Sequence, residues 1–517
     1  MTLTTLLTNI AIAAIILTLL MWAYDLFFLK KQKENFDQSG NETVTNKGLI
    51  KSLPLSLLQN FCGILFVFSG KVKADDPLGT AYKMKDYFGE FESLFQGTAM
   101  DFLAPIFPVM SEYAVGFSVA MIVFEIVLGL MLIMGHAPKF TKWAFLLLVL
   151  FFTVLTGFTY LTGYVPNDAH FFEFSKWAAH DENNMKVKDC GCFGDYIKLV
   201  PFTSFMKDIF LLIPAFIFLF ASKKMHTLFS KPIRRGIVAL SLVGVTLYCF
   251  SNYIWDIPGA DHRPFRKGTN VKAIKDIEEA ALAKVVITDW EMKHNETGEV
   301  IRVPNAEYMG KDPNKNYSFY KGVYTVTDQI RSKPAIEATK ISDFIIEDKD
   351  GNDLTDDIIA HQGANLLIVN YKLKGEGVSA VRTVRDSVFV MDTVSTEPLE
   401  VVKRLETVVE KQEEYTDNVW KPDYLKKHAK LKNFTDAAKQ AGLPVVMAIG
   451  GADELTIADF NEDTGLNLTY GMADDILLKT IVRSNPGVVL FKDGVIVDKW
   501  HIKKLPSFDK VKGEYLN

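Results

Sequence analysis

Six long apolar segments, all within the first 257 of 517 residues, constrain this chain more than any other feature. They run approximately over 6–29, 53–69, 113–135, 143–165, 199–221 and 233–255. A helix crosses a bilayer core with roughly 20 apolar residues, so the pattern predicts six membrane spans. The second is the weakest, being short and containing Gln59, Asn60 and Cys62. The first is too long for a signal-peptide core. No basic region precedes it and no small-residue cleavage site follows it, so it reads as a retained helix. From about residue 258 the composition changes to mixed charge and frequent turn signals, as in a soluble domain. A net charge of −5, spread over both signs, argues against a nucleic-acid partner. No phosphate-binding loop, dinucleotide fingerprint or His-Glu-x-x-His motif is present.

Lysine and arginine positions give an orientation. Lys30, Lys31, Lys33, Lys47 and Lys51 follow the first span, Lys139 and Lys142 the third, and Lys223, Lys224, Lys231, Arg234 and Arg235 the fifth. These alternate loops are expected in the cytoplasm. The loops near 70–112 and 166–198 carry Asp75, Asp76, Glu90, Glu92, Asp181 and Glu182 and are expected outside. Both termini and the whole C-terminal half then lie outside, in a compartment that permits disulfides.

The chain has four cysteines, and two of them, Cys190 and Cys192, flank Gly191 in the second outer loop. Such a pair can close a strained disulfide, which suits electron transfer better than stapling a fold. A static disulfide, or a loosely spaced metal site drawing on His170 or His180, are the alternatives. Cys249 lies near the outer end of the sixth span, within reach of the pair or as a core residue. Glu125 lies mid-span in the third segment, and Lys207 and Asp208 lie in the fifth. Intramembrane charges pair or line a functional cavity. Glu125 is expected to face Lys207 or Lys71, as a quinone or proton site or as a structural ion pair.

The run Asn60-Phe61-Cys62-Gly63-Ile64-Leu65-Phe66-Val67-Phe68-Ser69-Gly70-Lys71, then Asp75, Asp76, Gly79 and Tyr82, is joined by Glu125–Gly129 and Cys190-Gly191-Cys192-Phe193-Gly194. Together these residues resemble the DoxX/DoxD and MauE-type membrane proteins. The resemblance covers about 53–222, and the cysteine loop is its specific part. The architecture is also similar to DoxX-family proteins of Bacteroidota with a large C-terminal extension. The resemblance implies a four-helix core in a bacterial inner membrane. It further implies quinone-linked thiol chemistry or disulfide maturation of a partner.

In the soluble half, 271–283 reads as a helix, and 285–303 as a hairpin about Asn295–Gly298. Residues 344–353 read as two strands around an Asp-Gly turn, and 366–371 as a buried strand. The end of a helix at 434–441, a strand at 445–449 and a hairpin after Pro486 complete the pattern. The charged stretch 401–432 has helical spacing and Glu/Lys pairing. The order of elements resembles a thioredoxin-like or peroxiredoxin-like domain. That resemblance makes Pro486 a cis-proline and Pro486 with Asn485 a peptide-binding site. No Cys-x-x-Cys follows the first core strand, and no cysteine follows Cys249.

The expected architecture is a polytopic α-helical membrane domain followed by an α/β thioredoxin-like soluble domain. It divides into an N-terminal helix and loop (1–52), a four-helix core (53–222), a sixth span (223–257), a linker and small α+β segment (258–339) and a thioredoxin-like domain (340–517). The expected function is an inner-membrane thiol/disulfide redox protein acting on an extracytoplasmic protein partner through Cys190 and Cys192, with a quinone as cofactor. The alternative is a non-catalytic, membrane-anchored assembly protein.

Overall fold

The structure is a computed structural model and describes residues 2–29, 49–166, 169–187, 191–310, 312, 315–396 and 399–516. The chain divides into two compact units, Met1–Arg263 and Pro264–Asn517.

The first unit is helical. Its principal helices are α1 (Leu3–Tyr24), α2 (Leu53–Asp75), α3 (Pro77–Phe95), α4 (Ala114–Met134), α5 (Pro138–Leu161), α6 (Pro201–Ala221) and α7 (Lys231–Phe250). Proline stands in the first turn of α2, α3, α5, α6 and α7, where a missing backbone N–H is not needed. All but α3 belong to six helices long and apolar enough to cross a membrane, as the sequence predicts. The amphipathic α3 lies in a loop that the hydropathy pattern leaves blank.

The second span runs to Asp75 rather than stopping at Ser69. Its last turns hold Lys71, Lys73 and Asp75, and each of these charges has a partner, so the helix continues through them. The polar residues that weaken its hydropathy join helices together. Gln59 Nε2 donates to the Leu132 carbonyl at 2.6 Å, and Asn60 Nδ2 to Thr18 Oγ1 at 2.9 Å. In lipid, where apolar surface gives no preference for a neighbouring helix, such bonds and close backbone approach hold spans together. The α2–α4 crossing shows the second device. A Cβ on Gly129 would lie 2.7 Å from the Gly63 carbonyl oxygen, and one on Gly63 would lie 2.8 Å from the Gly129 carbonyl oxygen.

The loops sort into two ends. At one end Lys51 Nζ donates to the Lys223 carbonyl (3.1 Å), Lys142 Nζ to the Leu219 carbonyl (3.1 Å) and Arg234 Nη1 to the Gly135 carbonyl (2.9 Å). At the other, Ser118 Oγ donates to the Pro77 carbonyl, Asn252 Nδ2 to the Ala74 carbonyl, and Tyr196 meets the His262 ring. The described basic residues of the alternate loops thus gather at one end of the bundle.

The second unit combines α-helices with β-sheets. Strands β1 (Ile287–His294), β2 (Val300–Pro304) and β3 (Tyr324–Arg331) form an antiparallel sheet in the order β2-β1-β3. The β1–β2 hairpin is the expected one, while β3 adds a strand the sequence reading lacks. The larger sheet contains β4 (Ala364–Asn370), β7 (Val445–Ile449), β8 (Thr469–Met472), β9 (Gly487–Lys492) and β10 (Val495–His501), ordered β10-β9-β4-β7-β8. β4, β7 and β8 are parallel, and β9 and β10 run antiparallel to their neighbours. Helices α8 (Val271–Leu282), α9 (Pro422–Gln440), α10 (Glu454–Thr464) and α11 (Asp475–Ile481) accompany the strands. Ile368, Met447 and Leu490 of the sheet are buried with Leu431 and Phe434 of α9 and Phe460 of α10. Both sheet edges are covered by the chain itself. Backbone at 268–271 bonds β10, and Glu347 exchanges bonds with Met472 of β8. An edge so occupied offers no template for another strand.

Two sequence expectations need correction. Residues 344–353 keep the Asp-Gly turn, with Gly351 at φ 81°, but the flanking strands reduce to one bridge, Glu347 to Asp353. The charged stretch 401–432 is helical only from Pro422. Before that it is β6 (Leu399–Trp420), paired along its length with β5 (Gly375–Thr396). Glu/Lys spacing suits a helix, but the valine and threonine content of 401–409 favours a pleated strand, and the partner strand decides. The hairpin is anchored at its base, where Trp420 Nε1 donates to Asp463 Oδ2 at 2.8 Å and Asn418 Nδ2 to Asp459 Oδ2 at 3.0 Å.

Candidate functional site

The helical unit holds a partly open cavity of about 550 Å³. Its walls are mostly aromatic and aliphatic side chains of α2 to α6, with Phe91, Phe124 and Phe152 among them. Its polar lining is a minority: Lys73, Glu125, Lys207, Asp208 and Lys83 supply charges, and Ser69, Thr80, Thr156 and Cys192 line it with them. A pocket that is apolar apart from a few convergent polar groups is the usual form of a ligand site.

Two ion pairs occupy the wall. Lys73 Nζ of α2 meets Glu125 Oε2 of α4 at 2.7 Å, and both side chains are at most 5 % exposed. The Lys73 ammonium also sits 4.8 Å from the centre of the Phe152 ring. On α6, Lys207 pairs with its neighbour Asp208, whose second oxygen accepts from Thr156 Oγ1 of α5 at 3.0 Å. Charges this buried are tolerated only when paired and hydrogen-bonded.

The cysteine loop enters this cavity from one end. Gly191 (φ 62°) and Gly194 (φ 51°) take left-handed backbone, which glycine adopts without steric cost. Phe193 is 2 % exposed and meets Phe68 of α2 (ring centres 6.3 Å apart), so it pins the loop into the bundle. Ser69 Oγ donates to the Cys192 carbonyl at 3.0 Å. Cys192 is partly buried and carries a free thiol. Burial pushes that thiol above its usual range, and the Lys207 ammonium pulls against the shift. Cys190 lies outside the described residues.

The structure therefore gathers Glu125, Lys207 and Cys192 from the sequence candidates and corrects the pairing. Glu125 forms its ion pair with Lys73, while Lys207 lines the same cavity and Lys71 does not. Lys71 projects from another face of α2, where its Nζ meets Asp75 Oδ1 (2.5 Å) and Tyr248 Oη (3.2 Å). Two residues along a helix turn a side chain through about 200°, which separates Lys71 from Lys73. Lys73 lies beyond Ser69, where the apolar run ends, so hydropathy gives no sign that it sits in the cavity wall.

Cys249 packs with Ala74, Ile122 and Ile126, and Cys62 is likewise a buried core residue. His180 stacks on Tyr160 at 4.8 Å. Among the described residues no group of three His, Cys, Asp or Glu side chains is placed to hold a metal ion.

Asn485 and Pro486 belong to the second unit, and the peptide between them is cis, as expected. Asn485 is 8 % exposed, its Nδ2 donates to the Lys372 carbonyl at 2.6 Å, and Pro486 is buried.

These features are those of a multi-pass helical membrane protein with a mixed α/β second unit. No family model, curated protein or solved structure matches the chain.

Proposed function

We propose that this chain is a membrane thiol oxidoreductase of the DoxX/MauE-like kind, in which Cys190 and Cys192 pass electrons from an extracytoplasmic protein thiol to a membrane quinone. The observation that carries the reading is the cavity. A cysteine of the Cys-Gly-Cys loop, two buried ion pairs and aromatic walls converge on one space of about 550 Å³ within the helical unit. A quinone ring and the start of its apolar tail suit such walls, and the buried cations and carboxylates suit oxygens that gain protons on reduction. In the reaction the two thiols lose two electrons and two protons and form one S–S bond. The quinone takes both electrons and both protons and becomes the quinol. The resulting disulfide is then returned to dithiol by exchange with a partner's thiols, which become oxidised.

The gathering of basic residues at one end of the bundle supports an orientation with the cysteine loop and second unit outside the cytoplasm, in a bacterial inner membrane. The parallel β4-β7-β8 with antiparallel β9 and β10 supports a thioredoxin-like reading of that unit. One fact favours the alternative, a non-catalytic anchored binding protein: no cysteine lies beyond Cys249, so the second unit has no thiol of its own.

The test is direct. Purified protein, reduced and freed of reductant, is mixed without oxygen with a short-chain ubiquinone or menaquinone. The proposal predicts one quinol per protein and the loss of two alkylatable thiols, and no reaction in Cys192→Ser. Quinone that stays oxidised with the native sequence overturns it.

A further inference from the structure

This inference rests on the redox reading of Cys192 and asks what makes its thiol react. Exchange and oxidation both proceed through the thiolate. A thiolate in an apolar cavity adds a buried negative charge, which burial opposes. The charged groups facing Cys192 come from three helices: Lys207 and Asp208 from α6, Lys73 from α2 and Glu125 from α4. At the loop itself, the Lys83 stem lies against Gly191 while its ammonium faces Asp86 at 3.7 Å, and Asp195 faces Lys198 at 3.9 Å. Lys73 and Glu125 neutralise each other across α2 and α4. Asp208 is different: it shares a helix with its cation, and it is fixed from α5 by the Thr156 hydroxyl.

Ionising Cys192 Sγ adds one negative charge beside two ion pairs that sum to zero. The S–H bond breaks, the proton leaves to a base in solution, and no electrons change hands. The Lys207 ammonium and the Asp208 carboxylate then act on the thiolate with opposite sign. We propose that Lys207 and Asp208 are the positioning pair of Cys192, with Lys207 holding the thiolate and Asp208, fixed by Thr156, opposing it.

The experiment reads thiolate formation without using quinone. In the full chain carrying Cys190→Ser, the alkylation rate of Cys192 is followed against pH by peptide-resolved mass spectrometry. Lys207→Met is expected to raise the midpoint by about one pH unit, close to tenfold slower alkylation below the midpoint. Lys207→Arg restores the profile, and Lys71→Met, off the cavity, leaves it unchanged. Asp208→Asn removes the carboxylate that opposes the thiolate and is expected to lower the midpoint. A Lys207→Met profile superimposable on its parent overturns the proposal. Where Lys207→Met does not accumulate, Asp208→Asn decides alone, and an unshifted or raised midpoint overturns it. Failure of quinone reduction with these shifts intact would remove the redox reading but not the pairing, so the two outcomes are separable.

Discussion

Glu125 carries the sharpest consequence at the scale of single residues. Its carboxylate neutralises Lys73 at 2.7 Å in a site where both are almost wholly buried. Removing one partner of a buried pair leaves an uncompensated charge, which typically costs about 3–5 kcal/mol. Glu125→Gln is therefore expected to lower thermal stability in detergent by that order, and Lys73→Met with Glu125→Leu together to recover most of it. A single variant as stable as the native protein would mean the pair is hydrated and the cavity open to water. By contrast, the half-exposed Lys71 has a screened ion pair of little weight. The sequence marks Glu125, Lys207 and Asp208 because an acid or base inside an apolar run stands out. It does not mark Lys73 as the partner, because which face of α2 meets α4 depends on packing rather than on spacing along the chain.

Elements were legible where one local signal dominated. Apolar runs located the six helices long and apolar enough to cross a membrane, and β7 falls on the expected 445–449. The misreadings lie where a distant partner decides. Residues 401–420 satisfy helical charge spacing, yet β5 supplies a ladder and they become a strand. α2 runs past the apolar stretch because Lys73 is neutralised by Glu125 of α4 and Lys71 by Asp75 within α2 itself, which hydropathy cannot register. The glycines at the α2–α4 crossing give a prediction at this scale. Gly129→Ala would set a Cβ 2.7 Å from the Gly63 carbonyl oxygen and 2.9 Å from Val67, so the helices must separate. We expect a loss of about 1–3 kcal/mol, read as a lowered thermal midpoint. Gly244→Ala in α7 meets no atom within 4 Å and is expected to be neutral or stabilising. Equal effects at both positions would contradict close packing at the crossing.

At the scale of the whole molecule, a thiol loop meets an ion-paired cavity inside a bundle of helices long and apolar enough to cross a membrane. The residues of the Cys-Gly-Cys-Phe-Gly loop have separable duties. The glycines permit the turn, Phe193 fixes it in the bundle, and Cys192 faces the cavity. The motif was legible as a redox candidate from spacing alone, whereas the aromatic walls come from five helices and no single segment announces them. The second unit has no thiol, so any electron transfer rests on the first. The most direct measurement is the redox state of Cys190 and Cys192 in living cells, trapped with acid, tagged with a mass-shifting maleimide, and repeated after quinone depletion. The account predicts a mixture of dithiol and disulfide that moves toward dithiol when quinone is removed. A pair held as disulfide whatever the quinone supply would contradict it and leave a membrane-anchored binding protein.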